Sequence, residues 1–255
     1  MRKLFKKIVQ FYLKVLTKIV ISRHNPLIIA VAGTSNKTFV KEAILQELRK
    51  DIEVRGNPRS FNTEIGLPLA VLFLPSGYRS VFKWVDVLFS AAMISFFGHE
   101  FPKVLVLEMG VDRKGDMAYL LSMVKPKIAV VTCIDKGYPD LGTTTDDLFE
   151  EMKELISNVE ADGLVLLNGD DRLVKKLKNK TRAKTLLFGS GEKNDILIKT
   201  ITNSENKNFI EINFEGKVEK FKTDKFGQHN AEALAIAKRI NWEFKKGSML
   251  KKNVV

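Results

Sequence analysis

This chain of 255 residues has a single cysteine, no apolar run long enough to span a bilayer, and no internal repeat, coiled coil or low-complexity tract. Each absence removes a class of protein. Cys133 alone cannot form an intramolecular disulfide, and it fits a reducing compartment. With no histidine placed by the sequence to activate it, it reads as a small apolar filler rather than a nucleophile. The greasy stretch Val81 to Phe101 holds only twelve uncharged residues in a row, Val87–Gly98. A spanning helix needs about 20, so this segment reads as a buried or interfacial helix. Lysines interrupt the N-terminal apolar positions and no small-residue cleavage site follows, which argues against a signal peptide.

Acidic residues are missing from one place in particular. Residues 1–26 carry Arg2, Lys3, Lys6, Lys7, Lys14, Lys18 and Arg23 with no Asp or Glu, so they supply +7 of the net +12. The rest of the chain is close to balance, which argues against a nucleic-acid-binding surface. At roughly 100° per residue, Lys3, Lys7, Lys14 and Lys18 share one sector of a helix, and Phe5, Val9, Tyr12, Leu16 and Ile19 lie opposite. Two placements are open to this basic amphipathic helix. It can lie on an anionic membrane surface, or it can dock its apolar stripe on the domain behind it.

Beyond that helix the chain alternates short apolar strands with helices. Strands are expected at Leu27–Ala32, Lys103–Leu107, Ile128–Cys133, Leu164–Leu167 and Thr185–Phe188. Helices are expected at Phe39–Lys50, Asn62–Leu74, Val81–Phe97, residues 114–123, Thr145–Val159 and Asn230–Ile240. Continuous apolar strands between helices predict an α/β fold, a mostly parallel sheet with helices on both faces. Residues 194–223 switch to apolar–polar alternation with a turn at Glu215-Gly216, which predicts a small antiparallel region. Ligands of such sheets sit beyond the carboxyl ends of the strands. Three polar clusters fall there: the loop 33–38, Glu108 and the segment 132–140.

The loop is the most informative of the three. Residues 28–38 read Ile-Ile-Ala-Val-Ala-Gly-Thr-Ser-Asn-Lys-Thr, a buried-type strand running through small residues into a helix. Such a loop favours anions through its N–H groups and the helix N-terminus, its lysine meets phosphate, and its threonine hydroxyl can hold Mg²⁺. Asn36 stands where such loops carry glycine, at a place that calls for positive φ. Asparagine tolerates that conformation better than most residues.

Six ordered blocks resemble the central ATP-binding domain of the Mur ligases, in the branch that adds D-alanyl-D-alanine. They are Ala32–Thr38 with Lys41-Glu42-Ala43-Ile44, Ser60–Leu69, Val106–Gly110 with Gly115-Asp116, Lys125–Thr132, Leu166–Asp171, and Gly227–Asn230. The resemblance covers about residues 27–240. It implies ATP-dependent ligation of a carboxylate to an amine through an acyl phosphate, as part of cytoplasmic peptidoglycan precursor synthesis. Gly33, Thr34, Ser35, Asn36, Lys37 and Thr38 would then surround the phosphates, with Lys37 on the β- and γ-phosphates. Thr38 and Glu108 would hold Mg²⁺. Lys153, in Glu151-Met152-Lys153-Glu154-Leu155, would be the carbamylated lysine of a second metal site, and His229 and Asn230 would lie near the adenine.

Each assignment has a plain structural competitor. Lys37-Thr38 can be a helix start, Glu108 a structural carboxylate, Lys153 a solvated lysine, and His229-Asn230 a helix cap. Asp170-Asp171 reads as a turn and cap, and Asn62 and Glu64 as substrate-facing or capping. The family's metal-binding histidine after the third strand is absent from Thr132–Asp140, where Asp135 or Asp140 is the alternative ligand, and Ala233 replaces a second asparagine.

The resemblance divides the chain into a basic helix over 1–26, the ATP-binding domain over 27–242 and a lysine-rich tail over 243–255. The family's UDP-binding and closing domains are expected to lie outside this sequence. Two readings follow. One is an ATP-binding module that needs another chain to engage a UDP-linked muramoyl peptide. The other is a degenerate, non-catalytic relative that binds, peripherally at the inner membrane face, through residues 1–26.

Overall fold

The apolar runs of the sequence become the parallel strands of one sheet. In the computed structural model, which describes residues 2–58, 60–78, 80–202, 208–223 and 227–247, the strands are β1 (Leu27–Ala32), β2 (Val54–Gly56), β3 (Val104–Glu108), β4 (Ile128–Val131), β5 (Leu164–Asn168), β6 (Lys184–Gly189), β7 (Ile196–Thr202), β8 (Asn208–Phe214) and β9 (Lys217–Thr223). Their order across the sheet is β2-β3-β1-β4-β5-β6-β7-β8-β9. All pairings are parallel up to β7, and β8 and β9 add an antiparallel hairpin.

Alternate residues of β1 enter two different cores. Leu27, Ile29 and Val31 face α2 (Lys37–Leu48) and α8 (Gln228–Lys245). Ile28, Ala30 and Ala32 face α3 (Gly66–Val71), α5 (Asp116–Leu121), α6 (Thr145–Ser157) and α7 (Arg172–Lys175). Every residue of β1, β3 and β4 is buried, as expected where helices cover both faces of a parallel sheet. Local signals place the helix starts. Thr144 and Asp147 form a capping box for α6, and Asp171 caps α7 through the N–H groups of Leu173 and Val174.

A third, smaller core joins α3 to α1 (Arg2–His24) and α4 (Val81–Phe97). Here α1 is docked, by Val9, Leu13, Leu16 and Val20. Each of these burials is worth about 1.5–3 kcal/mol as an upper estimate. The docked stripe is rotated by roughly 50° from the expected one, and Phe5 and Tyr12 are exposed. The side chains of Arg2 and Lys3 lie outside the described residues.

Three other expectations change. The helix expected over Asn62–Leu74 shrinks to Gly66–Val71, because the Asn62 carbonyl accepts from Gly110 N–H (2.9 Å) and Phe73 turns to φ 58°. The last helix runs on to Lys245 with Glu243 and Phe244 buried, so a boundary at 242 would cut a packed turn; residues 248–255 of the expected tail lie outside the described residues. Strand β2 and helix α7 appear where no element was expected.

Candidate functional site

Sheet register assembles the site. Val31 pairs with Glu108 and Ala32 with Val131, so the loop after β1, the end of β3 and the segment after β4 meet at one end. The chain leaves β1 for neighbours on both sides, which is the switch point where open parallel sheets form a crevice.

Gly33 sits at φ 135°, and a Cβ there would fall 2.1 Å from Thr132 Oγ1. That contact explains the glycine. The Thr132 hydroxyl donates to Ser35 O (2.6 Å), and Thr34 N–H donates to Cys133 O (3.0 Å). Asp135 closes over the loop: its N–H donates to Thr34 Oγ1 (3.0 Å), and its Oδ2 lies 2.9 Å from that hydroxyl and 3.3 Å from Ser35 Oγ. Asn36 adopts φ 62°, ψ 0°, the left-handed conformation expected of it, and its side chain makes no cap on α2. The first N–H groups of a helix have no partners within it, and here they open beside the loop.

Lys37 Nζ donates to the carbonyls of Gly33 (2.7 Å) and Thr34 (3.2 Å). Burial lowers its pKa, and the nearby Glu108 carboxylate opposes that shift. Thr38 Oγ1 donates to Glu108 Oε2 (2.8 Å), and Asn62 Nδ2 to Glu108 Oε1 (3.1 Å). Asn57 fixes the Glu108 backbone, accepting its N–H (2.8 Å) and donating to its carbonyl (2.9 Å). Lys41, fully buried, donates to Asn57 O (2.6 Å).

The Thr38 hydroxyl and the Glu108 carboxylate are therefore two hard oxygen donors side by side, which suits Mg²⁺. Among the described residues no group of three or more His, Cys, Asp or Glu could hold a metal ion. A cation here would complete its shell with oxygens from a ligand, as Mg²⁺ does on phosphates.

His229 and Asn230 open α8 next to the same loop. The His229 ring packs on Phe39 (centroids 4.8 Å apart), and Asn230 Nδ2 lies 3.1 Å from His229 Nε2. A cleft of about 760 Å³ runs from there between α2, α8 and the hairpin, with Thr38, Phe39, Gln46, Phe221, Asn230 and Leu234 on its walls. A smaller cleft of about 200 Å³ opens past Asn62 and carries Lys6, Glu64, Asp112 and Arg113.

Lys153 is not brought to the loop. It lies on the outer side of α6, paired with Glu150 (2.6 Å), while Leu148, Glu151, Met152 and Leu155 face inward. Glu151 instead accepts from the N–H groups of Gly115 (2.6 Å) and Met117 (2.7 Å) at the start of α5. Asp171 caps and Asp170 braces the turn at Ser190 and Gly191, as their structural reading had it. Asp135 bonds the loop hydroxyls rather than joining Glu108, and Asp140 is exposed in a short 3₁₀ turn. Asn57 and Phe39 are the contributors the sequence did not reveal; only the end of a strand before Asn57 could have pointed to it.

The Mur ligase middle domain family matches residues 88–238, more than half of the chain. The UDP-N-acetylmuramoyl-tripeptide–D-alanyl-D-alanine ligase of Bacillus subtilis is 29% identical over 204 residues, 80% of this chain and 38% of its own length. The enzyme of the same name from Haemophilus influenzae is 23% identical over 225 residues, 85% of this chain and 43% of its own. The chain thus spans well under half the length of these relatives. Crystal structures of MurF from Acinetobacter baumannii (TM-score 0.72, 14% identity, covering 96% of this chain and 49% of that one) and of MurF from Thermotoga maritima in complex with ADP (0.68, 21%, 97% and 53%) share the fold. With that match running through β3, β4 and α8, the chain belongs to the Mur ligase family.

Proposed function

We propose that this chain binds ATP with Mg²⁺ as the nucleotide domain of a D-alanyl-D-alanine-adding ligase. The observation that carries the reading is the pairing of Thr38 with Glu108 at 2.8 Å beside a glycine-anchored loop and an uncapped helix start. Lys37 would leave the Gly33 and Thr34 carbonyls for the terminal phosphates, and the N–H groups at the start of α2 would take the remaining oxygens. Thr38 and Glu108 would hold Mg²⁺, which when bound neutralises the oxygens of the transferring phosphoryl group. The Phe39–His229 side of the larger cleft would take the adenine. A UDP-linked muramoyl peptide would approach past Asn62 through the smaller cleft, where Lys6 and Arg113 stand among Glu64, Asp112 and Asp116. Such precursors belong to the cytoplasm, and the acid-free charge of residues 1–26 suits peripheral attachment to the inner membrane face.

Thermal shift tests the nucleotide claim. ATP with Mg²⁺ should raise the melting temperature, ATP with a chelator should raise it less, and Glu108→Gln should remove the Mg²⁺-dependent part. A folded wild-type protein that gives no shift with ATP and Mg²⁺ would sink the reading. Because burial lowers the Lys37 pKa, affinity should decline with rising pH before the ordinary lysine value of 10.5 is reached.

A further inference from the structure

We propose that the outward faces of α1 and α4 form one docking surface that seats the domain on an anionic phospholipid bilayer. This deepens the peripheral attachment suggested above and does not depend on nucleotide binding.

The two helices lie side by side and run in the same direction. Tyr12 Oη donates to Leu88 O (3.3 Å), Ser95 Oγ to Leu16 O (3.4 Å) and Arg23 to Phe96 O (2.8 Å). Docking uses only part of each apolar circumference. On α1 the outward positions Leu4, Ile8, Phe11 and Val15 stay exposed after Val9, Leu13, Leu16 and Val20 are buried. On α4, Val87, Ala91 and Ser95 face inward, while Phe82, Val85, Phe89, Met93 and Phe96 repeat at helical spacing on the outside. Phe82 is 86% exposed, Phe11 70% and Phe89 66%. At about 100° per residue the two outward stripes flank the groove between the helices, so they make one continuous patch. Patches of this kind mark interaction surfaces.

Charge selects the occupant. Lys7 and Lys18 are exposed and fall beside Leu4 and Phe11 on α1, on the flank away from α4, and α1 contains no acid. Helix α4 offers one acid, Asp86, against one base, Lys83. A second copy meeting this face about a twofold axis would bring lysine-bearing flanks together with almost no acid to receive them. An anionic bilayer satisfies both features: the phenylalanines enter the boundary between headgroups and acyl chains, and the lysines meet the headgroups. Among the described residues no helix is long and apolar enough to cross a membrane, so the pair would lie in the interface.

The test is sedimentation of the full chain with vesicles of phosphatidylcholine alone or mixed with phosphatidylglycerol. Wild type should bind the mixed vesicles, and raising salt to about 0.5 M should weaken binding at least about tenfold. Phe82→Glu and Phe89→Glu, both at exposed positions, should each lose about tenfold or more in binding, with an unchanged melting temperature. The double variant Lys7→Glu, Lys18→Glu should bind more weakly and with a smaller salt dependence. If wild type ignores mixed vesicles, both the attachment and the surface fall. If Phe82→Glu and Phe89→Glu bind like wild type, attachment survives through α1 alone and the two-helix surface is refuted. A stable dimer in light scattering that Phe89→Glu dissociates would assign the patch to a second copy and overturn the proposal.

Discussion

The crevice at the end of β1 and the outer face of α1 and α4 break the usual sorting of side chains in opposite ways. At the crevice, polar groups are buried: Lys41, Asn57, Glu108 and Thr132 are all nearly out of reach of water. On the helix pair, apolar groups are exposed. The buried polar groups bond to one another and to backbone, so their partners are inside the molecule and they specify its geometry. The exposed phenylalanines have no such partners, so they bear on what the molecule meets rather than on how it folds.

Substitutions can break this contrast. The largest effect is expected at Gly33→Ala, where a Cβ would meet Thr132 Oγ1 at 2.1 Å and the residue would be held at φ 135°. We expect a loss of about 3 kcal/mol or more, together with loss of the ATP-dependent thermal shift. Asn57→Leu comes next, since it removes both bonds to the Glu108 backbone and the donor to Phe61 O. Urea denaturation should show a loss of about 2–3 kcal/mol.

A third test concerns the clamp between α2 and α8, where Glu47 accepts from Lys50 (2.6 Å), Lys238 (2.9 Å) and Asn241 (2.9 Å). Burial pushes the Glu47 carboxyl up, but these bonds outweigh it and hold the pKa at about 2, against an ordinary 4.5. The unfolded chain therefore takes the proton first. The clamp's contribution is complete above pH 4.5 and is lost as pH falls toward 2. In denaturation curves across that range, Glu47→Gln should flatten this part of the acid dependence. The smallest effect is expected on the other side of the comparison. Phe82→Ser should change stability by no more than about 0.5 kcal/mol, and a larger loss in urea denaturation would show that the exposed stripe helps hold the fold.

The same contrast governs how much could be read from sequence. The crevice was legible because its determinants are local: β1 has the expected bounds, and Asn36 has the expected left-handed turn. Its supports were less so. Asn57 acts through contacts 51 residues away, and the three residues of β2 are too few to show a pattern. Lys153 falls on the outer side of α6, and a motif position says little about which side of a helix faces the core. The α1 stripe was misplaced for a related reason. When apolar residues cover more than half of a helix, periodicity gives a helix but not the side that docks.

The ends of the sheet carry a consequence of their own. Strand β2 is three residues long, and β9 at the far edge bears Lys217, Lys220 and Lys222 on a largely exposed strand. Short or lysine-studded margins are poor templates for another strand. The sheet is thus protected at both rims against pairing with a strand of a neighbouring molecule, so its growth stops within one chain.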